Sequence, residues 1–255
     1  MKCEKRCLKF LYLFLVFVLV FAAVFLFCTI QNHRDEKIKQ SHPEETLPNT
    51  DIIAKYPTII IDAGHGGEDG GTVGINGVLE KNLNLKIAEK LYDSLTSVGI
   101  KCVLTRSEDI LLYDRNSDYE GHKKALDMQK RLNIANEYEN SIFISIHQNS
   151  YPAERYKGFQ AYYSQNDKRS EELALAFENA IKEKLQPTNN RTAKPSEGKI
   201  YLLEHIKSPA VLLECGFLSN SDECSLLCSE EYQDRLVAIL SDALLSYISQ
   251  KWGNS

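Results

Sequence analysis

Two histidines and two glutamates in this sequence have the types and positions that a hydrolytic metal site requires. His65 lies in the glycine-rich turn of "TIIIDAGHGG", His147 follows "SIFISI", and Glu214 follows "AVLL". Glu80 starts a helical pattern fifteen residues after His65. Two histidines and a carboxylate are a frequent ligand set for catalytic zinc, with water in the open position. A further carboxylate that does not bind the metal can serve as general base.

Each of the four residues also has a purely structural interpretation when it is taken alone. His65 could be an ordinary loop residue, and His147 a hydrogen-bonded histidine of the core. Glu80 would complement the dipole at a helix N-terminus. Glu214 is the hardest to explain without a site, because a carboxylate between "AVLL" and "CGF" is largely buried and an unpaired buried charge is costly. Taken together, the four residues favour a site.

The elements that must position these residues alternate between strand and helix patterns. The predicted strands are "TIIID", "IKCVLTR", "SIFISIH", "GFQAYYS", "KIYLL" and "PAVLLECGF". The predicted helices are "EKNLNLKIAEKLYDSLTSVG", "KKALDMQKRLNIANEYEN", "RSEELALAFENAIKEKL" and "EEYQDRLVAILSDALLSYISQ". This alternation predicts an α/β fold, with a mixed, mostly parallel twisted sheet of about six strands and helices on both faces. Ligands of such sheets collect at the carboxyl ends of strands, where His65, His147 and Glu214 are expected.

The N-terminal part of the chain differs in composition from the rest. Residues 1–9 form a basic flank, and residues 10–30 carry no charge over 21 residues. At about 1.5 Å per residue, a helix of this length spans a hydrocarbon core of about 30 Å. The basic flank predicts a cytoplasmic N-terminus and an extracytoplasmic remainder. Residues 31–56 are interpreted as a polar linker and residues 57–252 as the catalytic domain.

The apolar N-terminal run has one main alternative interpretation, a cleaved signal peptide. Such a peptide has a shorter apolar core, of about 7–15 residues, and a small-residue cleavage site. The sequence after this run is bulky and then polar, as in "LFCTIQNHRD". We therefore expect an uncleaved transmembrane anchor, and cleavage stays open as the alternative.

Charge and cysteine content restrict the partners of the soluble part. Residues 1–30 carry a net charge of +3 and the whole chain −5, so the remainder carries −8. An acidic remainder argues against nucleic acid as a partner. Cys224 and Cys228, in "CSLLC", are one helical turn apart and could form half of a metal site. Since no second pair lies nearby, they are a weaker candidate than the histidines.

The same residues lie in segments that resemble the zinc-dependent N-acetylmuramoyl-L-alanine amidases of the Amidase_3 family, over nearly all of residues 57–250. The segment "IIIDAGHGGEDGGTVGINGVLEKNLNLKIAEKL" resembles the first block of the family, with His65 and Glu80 in metal-ligand positions. "RLNIANEYENSIFISIHQNS" is similar to the second block, with His147 as the third ligand. "PAVLLECGFLSN" is similar to the last block, with Glu214 as the catalytic glutamate.

This resemblance implies a zinc-exopeptidase-like domain with one Zn²⁺ ion. The implied reaction is hydrolysis of the amide bond between the lactyl carboxyl group of N-acetylmuramic acid and L-alanine in peptidoglycan. The metal would polarise the amide carbonyl and lower the pKa of a water molecule to about 7. Glu214 would take the proton of the water and return it to the alanine nitrogen. Two alternatives stay open: another zinc peptidase of similar fold, such as a carboxypeptidase or endopeptidase, and a non-catalytic peptidoglycan-binding scaffold.

Four further residues are candidates for supporting or substrate-binding roles. Asp62 could orient a ligand histidine through its ring N–H, or it could be an ordinary residue at a strand end. Arg131 lies where the family has an arginine before Ala-Asn. Asn149 could contact substrate or cap its loop, and His205 is a candidate substrate contact. The glycines of residues 64–77 are expected to allow a tight turn and a close backbone approach near the metal.

Within the family, several segments resemble the sporulation- and germination-specific amidases of the CwlD type. They are "GINGVLEKNLNL", "SIHQNS", "YYSQ" and "RTAKPSEGKIYLLEH". The resemblance implies action on spore-cortex peptidoglycan, where removal of the stem peptide lets a peptidoglycan deacetylase form muramic-δ-lactam. Relatives in clostridia can depend on a lipoprotein, so a sporulation lipoprotein activator joins the expected partners. The expected location is the membrane of a Gram-positive spore former, with the catalytic domain in the forespore or cell-wall space.

Overall fold

The computed structural model describes residues 56–114 and 121–253. The strands are β1 (Thr58–Ala63), β2 (Cys102–Leu104), β3 (Ser141–Asn149), β4 (Gln160–Tyr163), β5 (Lys194–Pro195) and β6 (Ala210–Phe217). The helices are α1 (Glu80–Ser97), α2 (Lys123–Asn136), α3 (Arg169–Lys184), α4 (Tyr201–His205), α5 (Ser221–Leu227) and α6 (Glu230–Trp252). One 3₁₀ turn, Ile75–Gly77, precedes α1. The predicted basic flank, the anchor and all but the last residue of the linker lie outside the described residues. Among the described residues, no helix has the length and apolar character to cross a membrane.

The six strands form one sheet in the order β2-β1-β3-β6-β4-β5. All neighbouring strands are parallel except β4 and β6, which are antiparallel. The predicted mixed, mostly parallel sheet of six strands is therefore confirmed. Because β1, β3 and β6 are adjacent and parallel, their carboxyl ends meet at one edge of the sheet.

Helices cover both faces of the sheet, as predicted, but they bury two cores of different size. Ile59 and Ile61 of β1 face a large core that α1, α3 and α6 complete. Ile60, between them, faces a smaller core that α2 and α4 complete. The central strands are apolar on both faces because neither face is exposed to solvent.

Helix α1 begins at Glu80, and its apolar residues repeat at helical spacing along the face that it buries. The residues that it buries in the large core are Leu83, Ile87, Leu91 and Leu95. The chain then leaves the helix through Gly99, whose φ of +83° favours glycine. The predicted helix start and end are both confirmed to within two residues.

The structure corrects the prediction of a strand at "KIYLL". That segment forms the short helix α4, which buries Leu202 and Leu203 in the smaller core. A short apolar run fits a buried strand and a buried helical turn equally well by pattern alone. The edge of the sheet is instead formed by β5, where Pro195 is tolerated because an edge strand needs no donor on its outer side. Strand β3 also continues two residues beyond His147, where the predicted strand ended, whereas β6 ends at Phe217 as predicted.

Candidate metal centre

The loop after β1 brings His65 close to the neighbouring strand because two glycines leave room. At Gly64, a Cβ atom would lie 2.2 Å from Nε2 of His147. At Gly71, which has a φ of +66°, a Cβ atom would lie 2.6 Å from Oε2 of Glu80. Any larger residue at either position would displace a candidate ligand, so the predicted close approach of the glycine-rich loop is confirmed.

The side chains of His65, Glu80 and His147 converge at the carboxyl ends of β1 and β3. Nε2 of His65 lies 3.3 Å from Oε1 of Glu80, and Nδ1 of His147 lies 3.0 Å from the same oxygen. The two imidazole rings meet edge to face, with 4.9 Å between their centroids. Glu80 is buried, and both histidines keep partial exposure on the solvent side.

This arrangement fits a metal ion. One ligand atom from each of the three residues lies within 4.8 Å of the others, and no other group of three or more such residues occurs within the described chain. Ligands bonded at about 2.0–2.1 Å in a tetrahedral site lie about 3.3 Å apart, which is close to the distances found here. Because the triad provides two nitrogens and one carboxylate oxygen, a four-coordinate ion would keep one position open for a further ligand. The three residues therefore form a metal-binding triad.

The pKa values of His65 and Glu80 are shifted because both histidines of the triad contact the same Glu80 oxygen. Burial alone would lower the pKa of His65, but its hydrogen bond to Glu80 and the charge of that carboxylate raise the pKa to about 9. Burial would raise the pKa of Glu80, but the two histidines hold it far below its usual range. The carboxylate is thus anionic at neutral pH and provides the negative charge that a bound cation requires.

Several groups that sequence reasoning missed fix the orientation of the ligands. Asp69 Oδ2 lies 3.0 Å from Nδ1 of His65, which leaves Nε2 of that ring directed at the triad. Glu80 Oε1 accepts hydrogen bonds from the backbone N–H of Gln148 and from the amide of Asn84. The only sequence signal for Asp69 is an acidic residue four positions after a histidine, in a loop whose path a sequence pattern does not predict.

Glu214 lies beside the triad on the next strand of the sheet. It is the register partner of His147 in the parallel pair of β3 and β6. Its Oε2 atom is buried and accepts no hydrogen bond from the described residues. Burial raises the pKa of Glu214 to about 7. The register of the two strands shifts just beyond this pair, a local irregularity of the kind that often re-aims side chains beside active sites.

Asp62 does not hydrogen-bond either ligand histidine. Its Oδ1 accepts from Arg131 Nη1 at 2.5 Å and from Thr105 Oγ1 at 2.7 Å, and its Oδ2 accepts from Ser145 Oγ at 2.6 Å. Burial opposes its charge, but Arg131 and the two hydroxyl groups hold the pKa of Asp62 below its usual value. In this structure the contact with a histidine ring predicted for Asp62 is made by Asp69 instead.

Arg131 has no exposed surface, so it is a buried support of the site and not a contact for substrate. Its guanidinium group pairs with Asp62 and with Asp127. It also donates to the carbonyl oxygens of Ala63 and His65, at 2.8 and 2.7 Å. The arginine therefore holds the backbone that carries His65.

The remaining candidates lie at or beyond the margin of the site. Asn149 caps its own loop by accepting from the N–H of Ser150, and it also lines a cleft with Glu214. His205 is exposed, and its Nδ1 lies 2.8 Å from the carbonyl oxygen of Tyr201. Cys224 and Cys228 belong to no candidate metal cluster among the described residues, and both are free thiols.

Two cavities reach the site, and Ile200 lines both of them. A cavity of about 230 Å³ lies over the smaller core and touches His65 and His147. A wider cleft of about 670 Å³ lies on the side of β4 and β5 and ends at Glu214. His65, His147 and Glu214 therefore each line a cavity that a substrate could enter.

Comparison with known proteins identifies the family. Residues 59–246 match the family model of Amidase_3, N-acetylmuramoyl-L-alanine amidase. The chain belongs to this family. Hydrolysis of peptidoglycan by an N-acetylmuramoyl-L-alanine amidase is thereby shown as its activity, in preference to the other zinc peptidases and to the non-catalytic scaffold.

Three relatives illustrate how far the likeness to this amidase extends. The germination-specific N-acetylmuramoyl-L-alanine amidase of Bacillus subtilis (strain 168) is 34% identical over 193 residues, which cover 76% of this chain and 80% of that protein. The CwlD amidase from Clostridioides difficile, solved in complex with the GerS lipoprotein, has a TM-score of 0.72 at 36% identity, covering 76% of this chain and 100% of that chain. The catalytic domain of CwlV from Bacillus (Paenibacillus) polymyxa var. colistinus has a TM-score of 0.62 at 30% identity, covering 76% of this chain and 99% of that chain.

The buried Arg131 network generates a prediction about stability. Arg131→Gln should lower the free energy of unfolding by about 3–5 kcal/mol, because it leaves Asp62 and Asp127 buried without their counter-charge. Arg169→Gln is the matched control, since it removes the same group from a partly exposed pair with Asp167 and should cost no more than about 1 kcal/mol. Urea unfolding of both variants measures the difference. Equal losses would contradict the larger contribution to stability that we expect of the buried network.

Proposed function

We propose that this amidase cleaves the bond between N-acetylmuramic acid and L-alanine with one Zn²⁺ ion, held by His65, Glu80 and His147, and with Glu214 as the proton carrier. The observation that carries the proposal is the position of Glu214. Its carboxylate lies beside the triad on the neighbouring strand, with one oxygen buried and no partner among the described residues. A buried polar group without a partner costs free energy, which a catalytic role explains.

The donor set supports zinc. Imidazole nitrogen and carboxylate oxygen suit this ion, and three protein ligands are the usual number in catalytic zinc sites, where the fourth position is open. When bound, Zn²⁺ supplies Lewis-acid chemistry, polarising a carbonyl group and making water nucleophilic near neutral pH. Asp69 would hold the tautomer of His65 whose Nε2 is free to bind the ion, because its carboxylate accepts from the opposite ring nitrogen.

Glu214 would move one proton through the reaction. As water attacks the carbonyl carbon of the lactyl group, the carboxylate accepts the proton that the water loses. It then donates the proton to the alanine nitrogen as the carbon–nitrogen bond breaks, so that a free carboxyl group and a free amine result. Its position opposite His147 across the β3–β6 pair places the carboxylate next to the metal-binding triad and next to the cleft.

The cellular role that we propose is maturation of spore-cortex peptidoglycan. Support comes from the likeness to the germination-specific amidase of Bacillus subtilis and to the CwlD amidase of Clostridioides difficile. Removal of the stem peptide would prepare muramic acid for a deacetylase that leads to muramic-δ-lactam. The complex of the latter relative with the GerS lipoprotein supports a lipoprotein activator for this chain too. Residues 10–30 would anchor the enzyme in the membrane, with residues 57–252 as the extracytoplasmic catalytic domain.

The role of Glu214 can be tested by Glu214→Gln, which keeps the shape of the side chain and removes its basic oxygen. Release of stem peptide from purified peptidoglycan should fall by about 10²–10⁴-fold, with zinc content unchanged. Mass spectrometry should show peptide-free glycan and free stem peptides for the wild type. Glu139→Gln, an exposed position just before β3, is the control and should behave as the wild type. Loss of zinc from the Glu214 variant would instead make this residue a ligand.

Metal content tests the two proposed histidine ligands independently of activity. His65→Ala and His147→Ala should each reduce bound zinc from about one ion per chain to nearly none, because two ligands hold the ion poorly. Asp69→Asn should weaken zinc binding by about 10–100-fold, since it removes only the orienting carboxylate. His205→Ala is the matched histidine control and should bind zinc normally. Atomic emission after dialysis against a weak chelator measures all four, and zinc retained by His147→Ala would exclude this residue as a ligand.

Spore chemistry tests the cellular role. Expression in a Bacillus subtilis strain that lacks its germination-specific amidase should restore muramic-δ-lactam to the cortex, as measured by muropeptide chromatography. The Glu214→Gln variant, expressed at the same level, should not restore it. If the wild-type chain is active on purified peptidoglycan but produces no lactam in these spores, the proposed cortex role is wrong and the amidase activity is unaffected.

A further inference from the structure

The cleft beside Glu214 is lined in part by residues that have no role in the proposed reaction. Glu214 and Asn149 lie at the catalytic end of this cleft of about 670 Å³. Tyr162, Lys194 and Lys199 line it on the side of β4 and β5. A substrate bound with its reacting amide beside Glu214 would extend along this wall.

Strand register places Lys194 on the same face of the sheet as the catalytic carboxylate. Gln160 of β4 pairs with Glu214 of β6, and Tyr162 of β4 pairs with Lys194 of β5. Residues two apart on a strand point to the same face, so the four side chains share one face. Neighbouring strands are about 4.8 Å apart, which puts the backbone of Lys194 about 10 Å from that of β6.

Lys194 is the cation of this wall that has no counter-charge. The Nζ atom of Lys199 lies 3.1 Å from Glu197, with which it forms an ion pair. Arg191, which precedes β5, donates to the Gln160 side chain at 2.8 Å and lies over the ring of Phe217. Lys194 is exposed and forms no ion pair or side-chain hydrogen bond within the described part of the chain.

The backbone just after Lys194 is held in place by three hydrogen bonds. The N–H of Ser196 donates to the carbonyl oxygen of Tyr163 at 3.0 Å. The Ser196 hydroxyl and the N–H of Gly198 both donate to Glu204 Oε1, which closes the turn after β5. Because this turn is fixed before substrate binds, less conformational entropy is lost when the lysine engages a ligand.

We propose that Lys194 is a specificity-determining residue that binds a carboxylate on the peptide side of the substrate, within about two residues of L-alanine. An extended peptide advances about 3.3–3.6 Å per residue, and the backbone of Lys194 lies about 10 Å from that of β6, so the second residue after the reacting amide comes within reach of the lysine side chain. An ammonium group in a cleft attracts a carboxylate by charge and by charge-assisted hydrogen bonding. This inference rests on the proposed reaction at Glu214.

Two matched substrates test the proposal with the full-length enzyme. Both are N-acetylmuramoyl peptides of identical sequence, but the residue after L-alanine carries either its free carboxylate or the carboxamide. Lys194→Gln should lower kcat/KM about fivefold on the carboxylate substrate, mainly through KM, and less than twofold on the carboxamide. Lys194→Arg should retain the preference for the carboxylate, and 0.5 M salt should weaken that preference in the wild type.

The control is Lys101→Gln, which removes an equal charge just before β2, at the opposite end of the parallel strands. It should leave the ratio of the two substrates unchanged, and all variants should keep the zinc content and melting temperature of the wild type. Equal losses on both substrates in Lys194→Gln, or a wild type that does not distinguish them, would overturn the role of Lys194 while leaving the proposed reaction intact. A wild type that releases no peptide from either substrate would overturn both.

Discussion

The buried guanidinium group of Arg131 is the constraint on which the site depends. All five of its N–H donors have partners: the carboxylates of Asp62 and Asp127 and the carbonyl oxygens of Ala63 and His65. The chain leaves the sheet at this point, so these carbonyls have no ladder partner and would be costly to bury alone. Arg106 also donates hydrogen bonds to the carbonyl oxygens of Ala63 and Gly64 in the same turn. The backbone that carries His65 is therefore held by two arginines.

The polarity of one sheet face changes along the strands toward the metal centre. On β3, Phe143 packs in the smaller core, Ser145 bonds the buried Asp62, and His147 reaches the triad. These residues are two apart and so point to the same face. On β6 the same face changes from Leu212 in the core to Glu214 in the site. Strand β6 thus packs in the core at one end and carries the proposed general base at the other.

The metal-binding triad and the cleft wall that contains Lys194 lie on different parts of the sheet. The triad and its supporting groups lie on the loop after β1 and on α1, α2 and β3, whereas the cleft wall that contains Lys194 lies on an edge strand two positions from β6. An edge strand has one neighbour only, so its side chains can change without disturbing the central core. Specificity can therefore vary at this edge while the metal centre stays the same.

Several features were predictable from the sequence alone because they are local. Helical spacing of leucines set the limits of α1, and the apolar runs of β1, β3 and β6 required a sheet covered on both faces. Chemical type then identified His65, Glu80, His147 and Glu214 as a set. Only the tertiary structure decided that Arg131 supports the loop instead of touching substrate, that Asp69 orients His65, that "KIYLL" is helical, and that Lys194 shares the face of Glu214. Those features depend on burial and strand register between residues far apart in the chain, and a local pattern carries no information about either.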